Sequence, residues 1–139
     1  MNTPAQPNLQ YAIFCTQFVE EHGHASILGV LDAVDARGTI KWGQPMPRKV
    51  FPITLVLGIT APDGDHHAEL EVERPSGGIV IAVDREGFTI PPGQALHRCV
   101  ATLETETPED GTYTFRVFLD GATIGWAALP VTFTIEYEG

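Results

Sequence analysis

Basic residues are scarce in this sequence: eight lysines and arginines stand against 18 acidic residues, for a formal net charge of −10. A surface of this sign repels the phosphates of nucleic acids and of anionic lipids, and no basic stripe with interleaved aromatic residues offsets it. The sequence also lacks the run of about 18 apolar residues that a membrane-spanning helix needs. We therefore expect neither a nucleic-acid partner nor a membrane partner.

The opening residues, MNTPAQPNLQ, contain neither the basic stretch nor the apolar stretch of a secretory signal peptide. We therefore expect a cytoplasmic protein. There are only two cysteines, Cys15 and Cys99, and each lies in an apolar stretch, where a cysteine commonly serves as a small hydrophobic residue. A reducing cytosol disfavours a disulfide between them. No motif in the sequence implies a cofactor.

Helical periodicity is missing as well, since apolar residues nowhere recur at i, i+3, i+4 and i+7 over three turns. Short apolar runs alternate instead with turn signals, and 14 glycines and 11 prolines are spread along the 139 residues. This pattern predicts an all-β, antiparallel sandwich of eight or nine strands with little or no helix. We expect one domain over residues 9–139, preceded by a flexible tail over residues 1–8.

The alternation of apolar and polar residues is clearest in two segments. In 67–74, Ala68, Leu70 and Val72 share one face, and the other face is acidic. Segment 111–119 alternates in the same way and leads into Asp120-Gly121, the strongest hairpin signal in the chain. Further strands are expected at 9–19, 25–34, 50–60, 79–83, 95–105, 122–128 and 131–137, with a brief one at 88–90. The strand 25–34 is expected to be mostly buried, and residues 35–49 to form a long connection.

One stretch resembles a known family. The segment from Tyr11 to Val30 is similar to the opening of an uncharacterised bacterial and phage family, through Cys15, Gly23, Ser26, Gly29 and Val30. In that family a Cys-Asp pair ends the first strand, whereas Thr16 follows Cys15 here. The resemblance implies an immunoglobulin-like sandwich and no established activity.

Four histidines form two short groups, His22 with His24 and His66 with His67. Neutral imidazoles are good ligands for zinc and copper, so a metal-binding or small-molecule-binding protein, or an enzyme, is one hypothesis if the two turns meet in space. The alternative is that both groups only supply polarity to turns. We favour the second interpretation and assign no metal site.

Other catalytic patterns are weak. Cys15 has no basic neighbour in sequence to lower its pKa, and no helix follows Ser76-Gly77-Gly78, as a phosphate loop or a nucleophile elbow requires. Glu69, Glu71 and Glu73 alternate along one predicted strand face, so they do not flank a substrate bond as paired catalytic acids do. The sequence therefore favours a protein that is not an enzyme, and we assign no catalytic residue.

The segment 37–49 holds half of the basic residues and no acidic one. Long loops are frequent contact surfaces, and Trp and Arg are enriched at interface hot spots. We predict a contact surface for a protein partner or a second copy of the chain, made by Arg37, Lys41, Trp42, Met46, Arg48 and Lys49. Two alternatives remain open: Trp42 folds back over the end of the sandwich, or the chain is a structural subunit of a bacterial or phage assembly.

Overall fold

The computed structural model describes residues 6–41, 43, 50–80, 86–94, 96–106 and 110–138. These residues form ten strands and no helix. The strands are β1 (Asn8–Glu21), β2 (His24–Val30), β3 (Val34–Lys41), β4 (Val50–Thr60), β5 (Gly64–Glu73), β6 (Ile79–Val80), β7 (Glu86–Ile90), β8 (Leu96–Glu106), β9 (Gly111–Leu119) and β10 (Ala122–Glu138). The prediction of an all-β protein is therefore confirmed.

The strands form two sheets. Sheet A has the order β2-β1-β4-β8 and is antiparallel throughout. Sheet B has the order β3-β10-β9-β5-β6, and β7 also pairs with β5. The two sheets meet face to face, with the rings of Phe14 in β1 and Phe115 in β9 packed edge to face at 4.8 Å.

The core lies between the sheets and follows the two-residue period of the strands. Leu55, Ile59, Val117 and Leu129 are completely buried in it, the first two from β4 and the others from β9 and β10. Ala68, Leu70 and Val72 face the same layer from β5, as their alternation predicts. Burial of such side chains stabilises the fold by roughly 1.5–3 kcal/mol each.

The expectation that the second strand is buried is wrong. Side chains of β2 are exposed or half-buried, with Leu28 at 48% and Val30 at 59% exposure. The physical reason is position: β2 pairs only with β1 and ends the order of sheet A. A strand with apolar residues on both faces can be a central strand or an unprotected edge strand, and the sequence pattern does not distinguish the two.

The prediction of eight or nine antiparallel strands also needs correction. Residues 34–41, expected to belong to a connection, form β3, which runs parallel to β10 from the pair Val34–Val131 to the pair Lys41–Glu138. The two segments predicted at 122–128 and 131–137 are one strand, β10, which continues through Pro130. Pairing with β3 begins only at Val131, so a residue without an N–H is tolerated there.

Two tight turns close hairpins with the geometry that their sequences favour. Asp120 and Gly121 join β9 to β10 with φ values of 50° and 85°, as a type I′ turn requires. His22 and Gly23 join β1 to β2 with φ values of 51° and 75°. The Asp-Gly hairpin predicted from the sequence is confirmed.

The two cysteines are buried thiols with no disulfide between them. Cys99 belongs to the core and pairs with Leu57 of β4. Cys15 neighbours Phe14, a core residue, so it lies on the opposite face of sheet A. Opposite faces of one sheet cannot be bridged by a disulfide, whose Cα atoms lie about 5.5–6 Å apart.

On the outer face of sheet A, Tyr11 lies over Gly58. The two residues are paired across β1 and β4, and a Cβ atom at position 58 would overlap the tyrosine ring. The ring extends to β8, where Arg98 Nε donates a hydrogen bond to Tyr11 Oη at 3.1 Å. A missing side chain at position 58 thus allows one ring to cover three strands.

We expect Gly58→Ala to destabilise the protein by about 2 kcal/mol, because the added methyl group displaces the Tyr11 ring. In a Tyr11→Ala background, the same substitution should cost less than about 0.5 kcal/mol. Denaturant unfolding of the four proteins measures this coupling. Gly87→Ala is the control, since a Cβ there meets only an ordinary contact with the His66 carbonyl. An equal cost of Gly58→Ala in both backgrounds would refute the account.

Candidate functional site

The predicted contact residues are only partly covered by the structure. Arg37 and Lys41 belong to β3, so they lie on an edge strand and not in a loop, and Lys41 is exposed. Trp42, Met46, Arg48 and Lys49 lie outside the described residues. The contact surface proposed from the sequence therefore stays a prediction.

The two histidine groups do not meet. His22 and His24 lie at the β1–β2 turn. His66 and His67 lie near the opposite end of the two sheets, to which the paired residues Asn8 and Thr60 belong. The 14 residues of β1 separate the two ends by about 40 Å. Within the described part of the chain, no three His, Cys, Asp or Glu residues are grouped to hold a metal ion.

The second histidine group joins a different partner, Asp120 of the β9–β10 turn. His66 Nδ1 donates to Asp120 Oδ2 at 2.6 Å, and the backbone N–H of His67 donates to Asp120 Oδ1 at 2.9 Å. The backbone N–H of Asp120 donates in turn to the His67 carbonyl at 2.9 Å. We call this arrangement the His66–Asp120 clasp, because it fixes one hairpin turn to the start of β5.

The protonation state of the clasp follows from its partners. His66 Nε2 lies 2.7 Å from the Pro62 carbonyl oxygen, which can only accept a hydrogen bond. Both ring nitrogens can donate only in the imidazolium form, which this arrangement therefore stabilises. The hydrogen bond to Asp120, followed by the one to Pro62, raises the pKa of His66 above its ordinary 6.5. The bond from His66 likewise lowers the pKa of Asp120 below its ordinary 3.8.

A His–Asp pair also occurs in catalytic triads, but this one lacks the necessary geometry. In a triad, the ring nitrogen opposite the carboxylate takes a proton from the nucleophile. Here that nitrogen, Nε2 of His66, donates to a backbone carbonyl. The histidine side chain is also only 11% exposed. The clasp is therefore a structural contact that holds the end of sheet B together.

Near the His66–Asp120 clasp, aromatic rings of the two sheets pack against each other. Phe88 of β7 stacks on His97 of β8 with ring centroids 4.0 Å apart and an interplanar angle of 2°. His66 lies on the other side of the contact, 5.9 Å from the Phe88 ring. Because β7 belongs to sheet B and β8 to sheet A, these rings join the two sheets beyond the aliphatic core.

The outer face of sheet A is unusually apolar for a surface. The pairs Cys15–Val30, Gln17–Leu28, Ile13–Val56 and Val56–Val100 place their side chains on one side of the sheet, away from Phe14 and the core. We call this set of apolar residues the outer apolar face: Ile13, Leu28, Val30, Val56 and Val100. Val56 is completely buried there, whereas Leu28, Val30 and Val100 are exposed.

The outer face of sheet B has a different character. Trp126 of β10 is 65% exposed and pairs with Arg116 of β9. Arg116 contacts two acidic residues of β5: Nη2 lies 2.6 Å from Glu73 Oε2, and Nη1 lies 4.0 Å from Glu71 Oε1. Arg116 therefore contacts two of the three glutamates predicted for the acidic face of β5. Apolar side chains also lie on this face: Trp126 beside Arg116, and Ile79, 59% exposed, opposite Glu73.

Comparison with known proteins adds a fold relationship. No protein-family profile and no curated protein sequence matches the chain. Among solved structures, the chain is similar to the alkylpurine DNA glycosylase AlkC of Pseudomonas fluorescens, bound to DNA containing an abasic site analogue. The TM-score is 0.52 at 11% sequence identity, and the match covers 94% of this chain and 31% of the glycosylase chain. At this identity the likeness shows the fold alone.

The sequence alone predicts neither the His66–Asp120 clasp nor the exposure of the outer apolar face. Asp120 and His66 are 54 positions apart, so no local pattern connects the turn residue to its partner. Leu28 and Val30 were expected inside the protein, because edge position depends on strand order. The only available signal was that the segment 24–30 follows a two-residue turn and carries no acidic or basic residue other than His24.

The clasp predicts a pH dependence with a definite sign. Because the folded pKa of His66 is raised, its stabilisation is complete below about pH 6.5 and is lost as the pH rises through the folded value. Because the pKa of Asp120 is lowered, its contribution is complete above about pH 3.8 and is lost as the pH falls through the folded value. The contact is therefore strongest between these two pH values.

We expect Asp120→Asn to reduce the free energy of unfolding by about 1 kcal/mol near pH 6, and by less near pH 9. Asparagine keeps the positive φ of the turn, so the substitution isolates the charge. Denaturant unfolding at several pH values, with NMR titration of His66, measures both effects. Asp63→Asn controls for the change in net charge. A stability difference that is the same at pH 6 and pH 9 would contradict the account.

Proposed function

We propose that this chain is a non-enzymatic protein-interaction module whose contact surface is the outer apolar face of sheet A. The observation that carries the proposal is the exposure of Leu28 and Val30 beside buried apolar neighbours on the same face. Single exposed hydrophobic residues are normal on protein surfaces, but contiguous ones mark contact sites. Val100 extends the same face across sheet A to β8.

The outward-facing residues of β1 and β4 are more typical of an interface than of a surface in contact with water. In an antiparallel sheet with one side in water, the outer residues are usually polar. Here the outward residues at the middle of β1 and β4 include Ile13, Cys15 and Val56, and Cys15 and Val56 have no exposed surface. The face therefore resembles the apolar centre of an interface, with polar residues such as Gln17 and Arg98 towards its margins.

The basic segment 37–49 remains a second proposed contact, on the strength of its sequence. Such a contact would meet an acidic surface, on a partner or on Glu69, Glu71 and Glu73 of another copy. Salt should weaken binding through this segment, because it screens the attraction between opposite charges. Trp42→Ala should reduce binding if this segment contributes.

The DNA in the glycosylase structure does not support a nucleic-acid partner for this chain. A net charge of −10 opposes binding to phosphates, and the exposed Lys41 is one of only eight basic residues. We propose a protein partner instead, in the cytoplasm. We further propose that the two sheets form an immunoglobulin-like sandwich, as the resemblance over Tyr11–Val30 implies, and that the same contact would serve a subunit of a bacterial or phage assembly.

We expect the double substitution Leu28→Gln, Val30→Thr to weaken association about tenfold or more, because it removes about 1.5–2 kcal/mol of apolar burial from the interface. Both side chains are exposed, so the fold should be retained. The measurement is sedimentation equilibrium of the chain, together with capture of partners from the native cell using immobilised protein.

Trp126→Gln is the matched control for this experiment, because it removes a larger exposed apolar side chain from the other sheet. Association that survives Trp126→Gln and is lost with the double substitution supports the outer apolar face. The reverse pattern would place the contact on sheet B and refute the proposal.

A further inference from the structure

We infer that β2 is a strand-pairing edge, at which a second copy of this chain adds its own β2 in antiparallel orientation. The inference rests on the proposed function and names a partner for the edge of the same sheet, beside the outer apolar face. It would join two copies of sheet A into one continuous eight-stranded sheet, with the outer apolar faces side by side.

The backbone of β2 offers the necessary hydrogen-bonding groups. In a hairpin with a two-residue turn, the flanking pair, here Glu21–His24, exchanges both of its hydrogen bonds, and the pairs alternate from there as far as Leu28, before the left-handed φ of Gly29 interrupts the ladder. Ser26 and Leu28 consequently bond to β1, whereas the N–H and C=O groups of Ala25 and Ile27 point away from it. Thr16 Oγ1 further holds β2 in place by donating to the Leu28 carbonyl at 3.0 Å.

The other described sheet edges carry charged residues or are short, whereas the only irregularity in β2 is the left-handed φ of 66° at Gly29, near its end. Natural proteins protect edges with charged residues, short strands or prolines. Among the described edge strands, β8 contains Arg98, Glu104 and Glu106, and β3 contains Asp35, Arg37 and Lys41. The other two are short: β6 has two residues, and β7 has five, beginning with Glu86. The sequence of β2, HASILGV, has no proline and no acidic, lysine or arginine residue.

Charge distribution favours a second copy as the occupant. Two chains of −10 repel each other, so contact is easiest where neither brings a carboxylate to the symmetry axis. Antiparallel pairing centred on Ser26 uses only the part of β2 before Gly29, and it places Ser26 opposite itself, Ala25 opposite Ile27 and His24 opposite Leu28. No like charges then face each other across the axis. Such a contact is isologous, the commonest kind in homo-oligomers.

The inferred contact is small, since it uses one seven-residue strand and the side chains beside it. Interfaces at the lower end of the size range are weak, so we expect a dissociation constant on the order of micromolar. Its salt dependence has a distinctive sign. Raising NaCl from about 50 to about 500 mM should tighten the dimer several-fold, because salt screens the repulsion between two acidic chains. A contact between the basic segment 37–49 and an acidic face would weaken instead.

The test uses the full chain in sedimentation equilibrium at both salt concentrations, with amide hydrogen exchange at low and high protein concentration. Exchange of the Ala25 and Ile27 amides should slow as the concentration rises, because only dimerisation protects them. Exchange at Ser26 and Leu28 should change little, because β1 already protects them. This measurement needs no variant.

Variants then test the backbone contact. Ile27→Pro and Ala25→Pro each remove an outward N–H and should weaken the dimer at least tenfold, since proline is tolerated where an edge N–H faces solvent. Ile27→Thr is the matched control, because it changes the side chain but keeps the N–H, and it should dimerise. Circular dichroism verifies that each variant is folded.

The outcomes separate this inference from the proposed function. A chain that stays monomeric at all concentrations overturns the inference. If capture of another protein then still depends on Leu28 and Val30, the proposed function stands with a different occupant, such as an extended segment that adds a strand. A dimer that resists both proline substitutions, or that weakens with salt, also overturns pairing through β2.

Discussion

Burial of one apolar layer between two sheets is the constraint on which this structure depends. β4 and β9 supply the centre of that layer, and Phe14 and Phe115 join the sheets across it. Each strand has only one face that can reach this layer. A strand that is apolar on both faces therefore has surplus hydrophobic surface, and the core cannot cover it. In sheet A that surplus, at Ile13, Val56 and their neighbours, becomes the outer apolar face.

The same constraint explains how far the sequence predicts the fold. Wherever one face is buried and the other is wet, alternation identifies the core residues, as for Leu70 and Val72 in β5 and for Phe115 and Val117 in β9. Alternation is a local property, however, and strand order is not. Segment 34–41 alternates too, but its parallel partner lies almost 100 residues away in β10, and an Arg-Gly pair within it imitates a turn. For the same reason, the exposed position of β2 could not be read from its apolar composition.

The polar contacts, like the strand order, can be predicted from the sequence only in part. The Asp-Gly turn could be predicted, because its chemistry lies in two adjacent residues. The role of the Asp120 carboxylate could not, because its partner His66 reaches it only after β5 and β9 have paired, as in the pair Ala68–Leu119. A histidine pair in a sequence suggests metal ligation, yet in one of these rings a carboxylate and a carbonyl engage both nitrogens and favour the imidazolium. Protonated nitrogens cannot coordinate a metal, so the tertiary contacts of His66 oppose the metal binding that the sequence motif suggests.

Charge and hydrophobicity divide the surface in a way that bears on function. On the outer face of sheet B, Glu71 and Glu73 of β5 contact Arg116 of β9 within the chain. The outer apolar face of sheet A has no comparable ion pair among the described residues, and its edge strand β2 contains no acidic, lysine or arginine residue. A stable acidic protein keeps molecules apart by repulsion in general while leaving one uncharged edge open. The dimer inferred above uses this edge, because β2 brings no carboxylate to the contact.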